Sequence, residues 1–539
     1  MATLVAPYAP RKPTETVLYA AVRETLETFL RWTKETYAAP LPRYVVDELR
    51  GYLRCGVFAH GFVRAHCDAC GHDLLVAFSC KGRGLCPSCA GRRMANTAAH
   101  LVDRVLPVVP VRQWVLSLPW ELRRHAAFDA RSLTAFDRIF VEQIIAHHKR
   151  VARRDGRRAP QTGAITFVQR FGGSLNLHVH FHVVVLDGTF ERTPAGVVFH
   201  EAPPPTPQEL AAVLARTAER IARWLRKHRG TNAAPSVDAE PTALDACAQA
   251  AVHPGAFAEL PDEPTAAESD LPSSKLSVAL SGFSLHAGVR MGANDDVGRE
   301  RLCRYGARPP LALGNLRRLA DGRYAYRCKY ARRGTARHRI MTPLELLARL
   351  AALIPPPRHP LVRYHGVLAP HSSWRRLVIP RTSDELASPR HTHPIKPPTP
   401  QSQHPSSAEP PRATPRAAPD TPPKTRPTLI DAPSIVSSQA QARATLLRPN
   451  ILSVTHWSRI DDGLLRAASP RIAWPQLLRR TFDVDILRCP SCDGRLRVLS
   501  VLTTPDTIHA ILDSLSIPTL PPPIPRARPP ADLLEPSFD

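Results

Sequence analysis

The sequence predicts an α+β protein: an antiparallel sheet with helices, preceded by a small metal-binding module and followed by a disordered linker and a small C-terminal module. Three observations carry that expectation. Between Val111 and His228 the order is strand, helix, strand, strand, helix, and the two central strands are joined by the hairpin signal FGGSLN. Six of the eleven cysteines crowd between Cys55 and Cys89. The 57 prolines are uneven, and residues 388–433 have almost no large apolar side chains to bury.

The elements follow from their patterns. Thr16 to Tyr37 spaces apolar residues at three and four, as an amphipathic helix does. VRQWVLSLP, Val111 to Pro119, is strand-like and ends at a proline. Ser132 to Arg154 reads as a helix with a basic end. AITFVQR (Ala164 to Arg170) and LHVHFHVVVL (Leu177 to Leu186) are strands, and Pro207 to His228 is a long helix. Thr231 to Ser274 has low complexity and reads as a flexible insertion. These breaks suggest a helical and zinc-binding region over 1–100 and a sheet domain over 101–385. A linker would follow over 386–445, and a small module with one Cys-x-x-Cys knuckle over 446–539.

A formal net charge of +25 on 539 residues makes polyanions the first partners to consider. No window approaches the roughly 18 apolar residues of a spanning helix. The start, MATLVAPYAPRKPTE, has no signal-peptide core. The expectation is a cytoplasmic, nucleoid-associated protein that touches nucleic acid and no membrane.

Clustered cysteines in such a chain point to metal rather than disulfides. Cys67 and Cys70 form one C-x-x-C knuckle; Cys86 and Cys89, fifteen residues further on, form another. That spacing predicts one tetrahedral structural zinc site holding all four. Cys55 and Cys80 either belong to a second site or are small core residues. Arg64, Lys81, Arg83, Arg92 and Arg93 could contact phosphates. The late pair Cys489 and Cys492 has no second pair downstream, so a tight turn with two free thiols is expected there.

In the stretch LNLHVHFHVVVLDG, His178, His180 and His182 alternate with apolar residues and therefore share one strand face. Three buried imidazoles in a row are hard to satisfy except by metal, carboxylates or water.

At these residues the chain resembles the HUH single-strand endonucleases, whose signature is a histidine–hydrophobic–histidine strand. VQRFGGSLNLHVHFHVVVLDGTF and FSCKGRGLCPSCAGRRM look like the rolling-circle transposases of the insertion-sequence ninety-one type. GFSLHAGVRM, RLCRYGARPPLA, Met341 to Ser372 and WPQLLRRTFDVDILRCPSC extend the likeness. The resemblance implies an HUH-type sheet domain behind a transposase zinc-binding domain. The metal pair would be His180 and His182, with His178–His180 as the competing register and Gln169 or His178 as third ligand. The tyrosine ahead of R-P-P maps onto Tyr305 as nucleophile. Arg301 stands where some relatives carry a second tyrosine, which puts this chain in the single-tyrosine branch.

The implied chemistry is metal-dependent cutting and rejoining of single-stranded insertion-sequence ends. It would pass through a covalent 5′-phosphotyrosine, with Mg²⁺ or Mn²⁺ polarising the phosphate. No P-loop is present, so no ATP requirement is expected. Arg304, Arg308, Lys329, Arg332 and Arg333 are candidate DNA contacts. The last three lie in RYAYRCKYARRGTARHR, whose interleaved tyrosines suit a single-strand groove. A zinc-finger DNA-binding protein without catalysis would explain the charge and cysteines but not the histidine strand. A three-histidine hydrolase would explain the strand but not the charge or the motif around Tyr305.

Overall fold

The structure is a computed structural model that describes residues 8, 10–194, 196–228, 240–252, 256–258, 276–328, 337–380, 472–482 and 484–529. The expected linker over 386–445 lies outside the described residues, as do Lys329, Arg332 and Arg333.

The chain opens with α1 (Val17–Thr36) and α2 (Arg43–Arg54). Thr16 caps α1 by accepting the Tyr19 N–H, and the helix buries Leu18, Val22, Leu26 and Phe29 at helical spacing. A hairpin of β1 (Phe62–Cys67) and β2 (Asp73–Ala77) follows, then α3 (Pro87–Arg104) with Pro at its first position.

The central domain comprises β3 (Val111–Ser117), α4 (Trp120–Phe128), α5 (Ala130–Arg154), β4 (Gly163–Phe171) and β5 (Leu177–Leu186). A separate hairpin, β6 (Gly188–Thr193) with β7 (Gly196–Glu201), leads to α6 (Pro207–His228) and α7 (Ala243–Val252). Next come β8 (Ala256–Ala258), β9 (Ser277–Leu280), β10 (Phe283–Met291) and α8 (Asp296–Ala307). The domain ends with β11 (Leu316–Arg318), β12 (Tyr324–Arg327), β13 (His338–Met341), α9 (Pro343–Leu353), β14 (Val362–Gly366) and α10 (Arg375–Val378). Strands β11, β12, β13 and β8 form a small sheet of their own.

The main sheet runs β14-β4-β5-β3-β10-β9, and every neighbouring pair is antiparallel. Strand β5 therefore lies inside the sheet, which explains its apolar continuity. Its odd-numbered residues Val179, Phe181, Val183 and Val185 enter a core with Trp114, Leu116, Phe136, Phe140 and Leu214. Val184 and Leu186 face the other way, against Leu101 and Val102 of α3 and Leu302 and Cys303 of α8. The histidines continue that second face.

Two expectations are corrected. The stretch 231–274 is not wholly a flexible insertion, because α7 buries Ala243, Cys247, Ala248 and Ala251 and packs with α9 in the main core. Alanine-rich composition looks like low complexity, yet alanine is the best helix former and permits close helix approach. Nor do the C-terminal residues stand apart. Ile472, just ahead of helix α11 (Trp474–Phe482), and Leu477 within it pack against Ala95 and Ala99 of α3. Strand β15 (Leu496–Leu502) pairs with β1, and α12 (Pro505–Ser514) seats Ile508 and Leu512 on Phe62 and Leu75. The two ends of the chain build one three-stranded sheet, β15-β1-β2. No described helix is long and apolar enough to cross a membrane.

Candidate metal centres and nucleophile site

The cysteines form two clusters, divided differently from the expectation. Cys55, Cys80, Cys86 and Cys89 converge at one, with Sγ–Sγ separations of 3.5–3.7 Å. Cys67 and Cys70 instead meet Cys489 and Cys492, at 3.5 and 3.6 Å. A single site of Cys67, Cys70, Cys86 and Cys89 is thus overturned. Cys67 ends β1 at the hairpin turn, whereas Cys55 precedes β1, Cys80 follows β2 and Cys86 precedes α3. Five strand steps, about 17 Å, separate the two ends of the hairpin.

The buried cluster suits zinc. A tetrahedron with Zn–S bonds of about 2.3 Å has S–S edges of about 3.8 Å. The Cys80 and Gly82 N–H groups point at Cys55 Sγ and Cys80 Sγ, at 3.4 and 3.3 Å, and Arg11 donates to Cys55 Sγ at 3.4 Å. Such donors offset thiolate charge. Zinc held here by four thiolates has no open position and serves folding.

The histidine strand lies between β4 and β3, with His180 opposite both Gln169 and Ser117. His178 and His180 stack at 4.9 Å between ring centres, and His182 follows at the same spacing. Burial pulls His178 down to about 3 and His180 to about 4, with cationic neighbours acting in the same sense. Burial also holds His182 well below the usual imidazole range. All three are neutral bases near pH 7.

Their hydrogen bonds decide which nitrogens keep lone pairs. His180 Nδ1 donates to the His178 carbonyl at 2.8 Å, leaving Nε2 as the basic nitrogen. Gln113 meets His182 Nδ1 at 3.0 Å, and His182 Nε2 is buried without a hydrogen-bond partner. Gln169 Oε1 is likewise buried and unpartnered. Turning the Gln113 amide by half a turn presents its carbonyl to Nδ1–H and leaves Nε2 a lone pair. Two imidazoles and an amide oxygen make a mixed nitrogen and oxygen donor set of a kind that can hold a divalent ion. Among the described histidines, cysteines, aspartates and glutamates, only cysteines gather three or more ligand atoms within 4.8 Å of one another, so the histidine face is the looser arrangement.

Tyr305 is brought to this face by the last turn of α8. Its ring meets His182 edge-on, 5.3 Å between centroids and 80° between planes. Gln169 Nε2 donates to the carbonyls of Tyr305 and Gly306 at 2.7 and 2.9 Å, satisfying groups that a helix end leaves open. Gly306 permits the close approach, since a Cβ there would lie 2.6 Å from the Phe167 ring. The Arg308 guanidinium sits 4.6 Å over the Tyr305 ring, a cation–π contact.

Arg304, expected as a DNA contact, is turned inward instead. It is buried and donates to Glu300 Oε1 at 2.8 Å and to Thr481 Oγ1 at 3.2 Å. One residue along a helix rotates about 100°, so Arg304 faces α11 while Tyr305 faces the sheet. Glu300 also binds Arg480, whose guanidinium contacts both Asp103 and Glu300 with all three side chains fully buried. Burial opposes the Arg480 charge, and the two carboxylates overcome it, so the group is held protonated more firmly than usual.

Sequence reasoning missed Gln113, Asp103, Glu300 and Arg480. Gln113 alone left a signal, a polar residue inside the strand VRQWVLS.

Residues 163–376 match the family described as "Putative transposase", and residues 25–118 match the "Transposase zinc-binding domain". Neither match reaches the C-terminal cysteine pair. No curated protein and no solved structure matches the chain.

Proposed function

Because the chain belongs to the transposases of the insertion-sequence ninety-one type, we propose that it nicks and rejoins single-stranded DNA at element ends, with Tyr305 as nucleophile. As a transposase it is a DNA-processing enzyme with a zinc-binding domain. The finer reading is supported above all by one juxtaposition: Tyr305 set edge-on against His182 while Gln169 grips the tyrosine's own carbonyl.

In this reading the Tyr305 hydroxyl attacks the scissile phosphorus. A Tyr Oη–P bond forms and the bond from phosphorus to the 3′ oxygen breaks. The phenolic proton is lost, the departing 3′ oxygen gains one, and the 5′ phosphate stays on the enzyme. Attack by a 3′-hydroxyl on the phosphotyrosine reverses these steps and joins strands. One ester is exchanged for another, so no nucleotide is consumed. Nε2 of His180 and of His182, with Gln169 Oε1, would hold the divalent ion, which supplies polarisation of the phosphate and neutralisation of developing charge. Gln113 fixes the His182 tautomer, Gln169 fixes the end of α8, and Arg308 places positive charge where a phosphate would enter.

The test is incubation of the full chain with single-stranded oligonucleotides and Mn²⁺, read on denaturing gels. Wild type should form a covalent protein–DNA adduct that chelation prevents. Tyr305→Phe should keep DNA binding and lose the adduct. An adduct formed by Tyr305→Phe would assign the nucleophile elsewhere. Cutting without any adduct would favour a metal hydrolase, and binding without cutting would favour a non-catalytic zinc protein. Equal cutting of duplex and single strands would reject the proposed substrate.

A further inference from the structure

We propose that Cys67, Cys70, Cys489 and Cys492 hold a second zinc ion, which clasps the C-terminal segment onto the N-terminal module and keeps Arg480 seated between Asp103 and Glu300. The partners are 425 and 419 positions apart along the chain, yet Cys67 Sγ lies 3.5 Å from Cys492 Sγ and Cys70 Sγ 3.6 Å from Cys489 Sγ. Those separations fit the edges of a Zn–S tetrahedron, as at the buried cluster.

The two turns are built alike, which chance proximity of thiols would not require. Cys67 N–H donates to the His72 carbonyl at 2.9 Å, and Cys489 N–H donates to the Gly494 carbonyl at 2.8 Å, five residues on in each case. The residue after each second cysteine, Gly71 or Asp493, takes a left-handed conformation with φ of 75° or 61°. The Ser491 N–H points at Cys489 Sγ at 3.4 Å. Cys489-Pro-Ser-Cys492 also repeats the wording of Cys86-Pro-Ser-Cys89. Around the thiols, Ser491 Oγ meets His72 Nδ1 at 3.2 Å and Arg497 meets Asp68 at 2.6 Å, so both knuckles are registered against each other.

The clasp reaches the tyrosine helix. From Cys489 the chain leads back through Asp485, which accepts from Arg495, to α11 and Arg480. Arg480 joins Asp103 of α3 to Glu300 of α8, five residues before Tyr305. The sheet β15-β1-β2 carries the same tail on the other side of the knuckle. Cys70 and Cys492 are exposed, whereas Cys55, Cys86 and Cys89 are buried, so this zinc should be the first lost to a chelator.

Metal content and tail retention test the clasp separately from any cleavage reading. The full chain should carry two all-sulfur zinc ions by elemental analysis and X-ray absorption. Cys489→Ser with Cys492→Ser should carry one, and Cys67→Ser with Cys70→Ser should match it from the opposite end. With a protease site introduced near residue 410, the cut C-terminal fragment should co-elute with wild type and separate in either double variant. Mild chelation that removes one zinc should release it too. A single sulfur-bound zinc in wild type overturns the site. Two sulfur-bound zinc ions in the double variants overturn the ligand set, and full retention of the cut fragment in both overturns the clasp.

Discussion

Arg480→Met removes the guanidinium that joins Asp103 to Glu300 while keeping a side chain of similar reach. The magnitude depends on burial. An exposed ion pair is worth about 0–1 kcal/mol, but orphaning one side of a buried pair costs about 3–5 kcal/mol. Here the side chains of Arg480, Asp103 and Glu300 are all fully buried, so the larger range applies. Glu300 retains Arg304, whereas Asp103 loses its bidentate guanidinium. A loss of about 3–5 kcal/mol is roughly two to four orders of magnitude in an opening equilibrium. Urea unfolding should show a lower midpoint, and hydrogen exchange should show α11 opening ahead of the main sheet. Pairing the change with Asp103→Leu should recover much of the loss, because no buried carboxylate is then left facing an apolar partner. A midpoint shift within the exposed-pair range, with α11 still protected, would refute the reasoning.

Cys86→Ser should remove the buried zinc and unfold the N-terminal module, lowering zinc content and abolishing cooperative melting of α1 and α2 by circular dichroism. Gly306→Ala places a methyl about where the Phe167 ring lies, so α8 must shift. Overpacking of this kind costs about 1–3 kcal/mol, and adduct formation should fall more than overall DNA binding does. Burial holds His148 at about 4, below the ordinary 6.5. The stability contributed by its neutral form is present above pH 6.5 and is lost as pH falls toward 4, by about 1.4 kcal/mol per unit and about 3 kcal/mol in all. His148→Phe should flatten that acid limb in pH-dependent urea melts; an unchanged limb would assign the loss to other groups.

What was legible in the chain was whatever a local period encodes. The alternation through His178, His180 and His182 placed three imidazoles on one face, and β5 spans the same Leu177–Leu186 that the pattern marked out. The helix over Pro207–His228 was equally plain. What escaped were pairings that depend on how elements stack. Two C-x-x-C pairs at metal-ligand spacing looked like partners, but the intervening hairpin points them to opposite ends, and each finds thiols from elsewhere in the chain. In RYGARPP, Arg304 and Arg308 look equivalent on paper. Helix rotation sends the first into an ion pair with Glu300 and leaves the second over Tyr305. Arg479 and Arg480 are adjacent in the sequence, and nothing local distinguishes the one that is buried between two carboxylates.

Gln169 sits on β4 directly opposite His180, and the same amide grips the last carbonyls of α8. The Tyr305 end of α8 and the histidine strand are therefore mounted on a common bench. With both tied to the same amide, flexing of the sheet would move them together and do little to misalign them. In the proposed reaction the burden of adjustment would fall on the incoming strand, which would have to bend its phosphate into a preset gauge. On the proposed reading, a protein arranged in this way could vary the surfaces that choose its DNA without recalibrating the place where the bond would be broken.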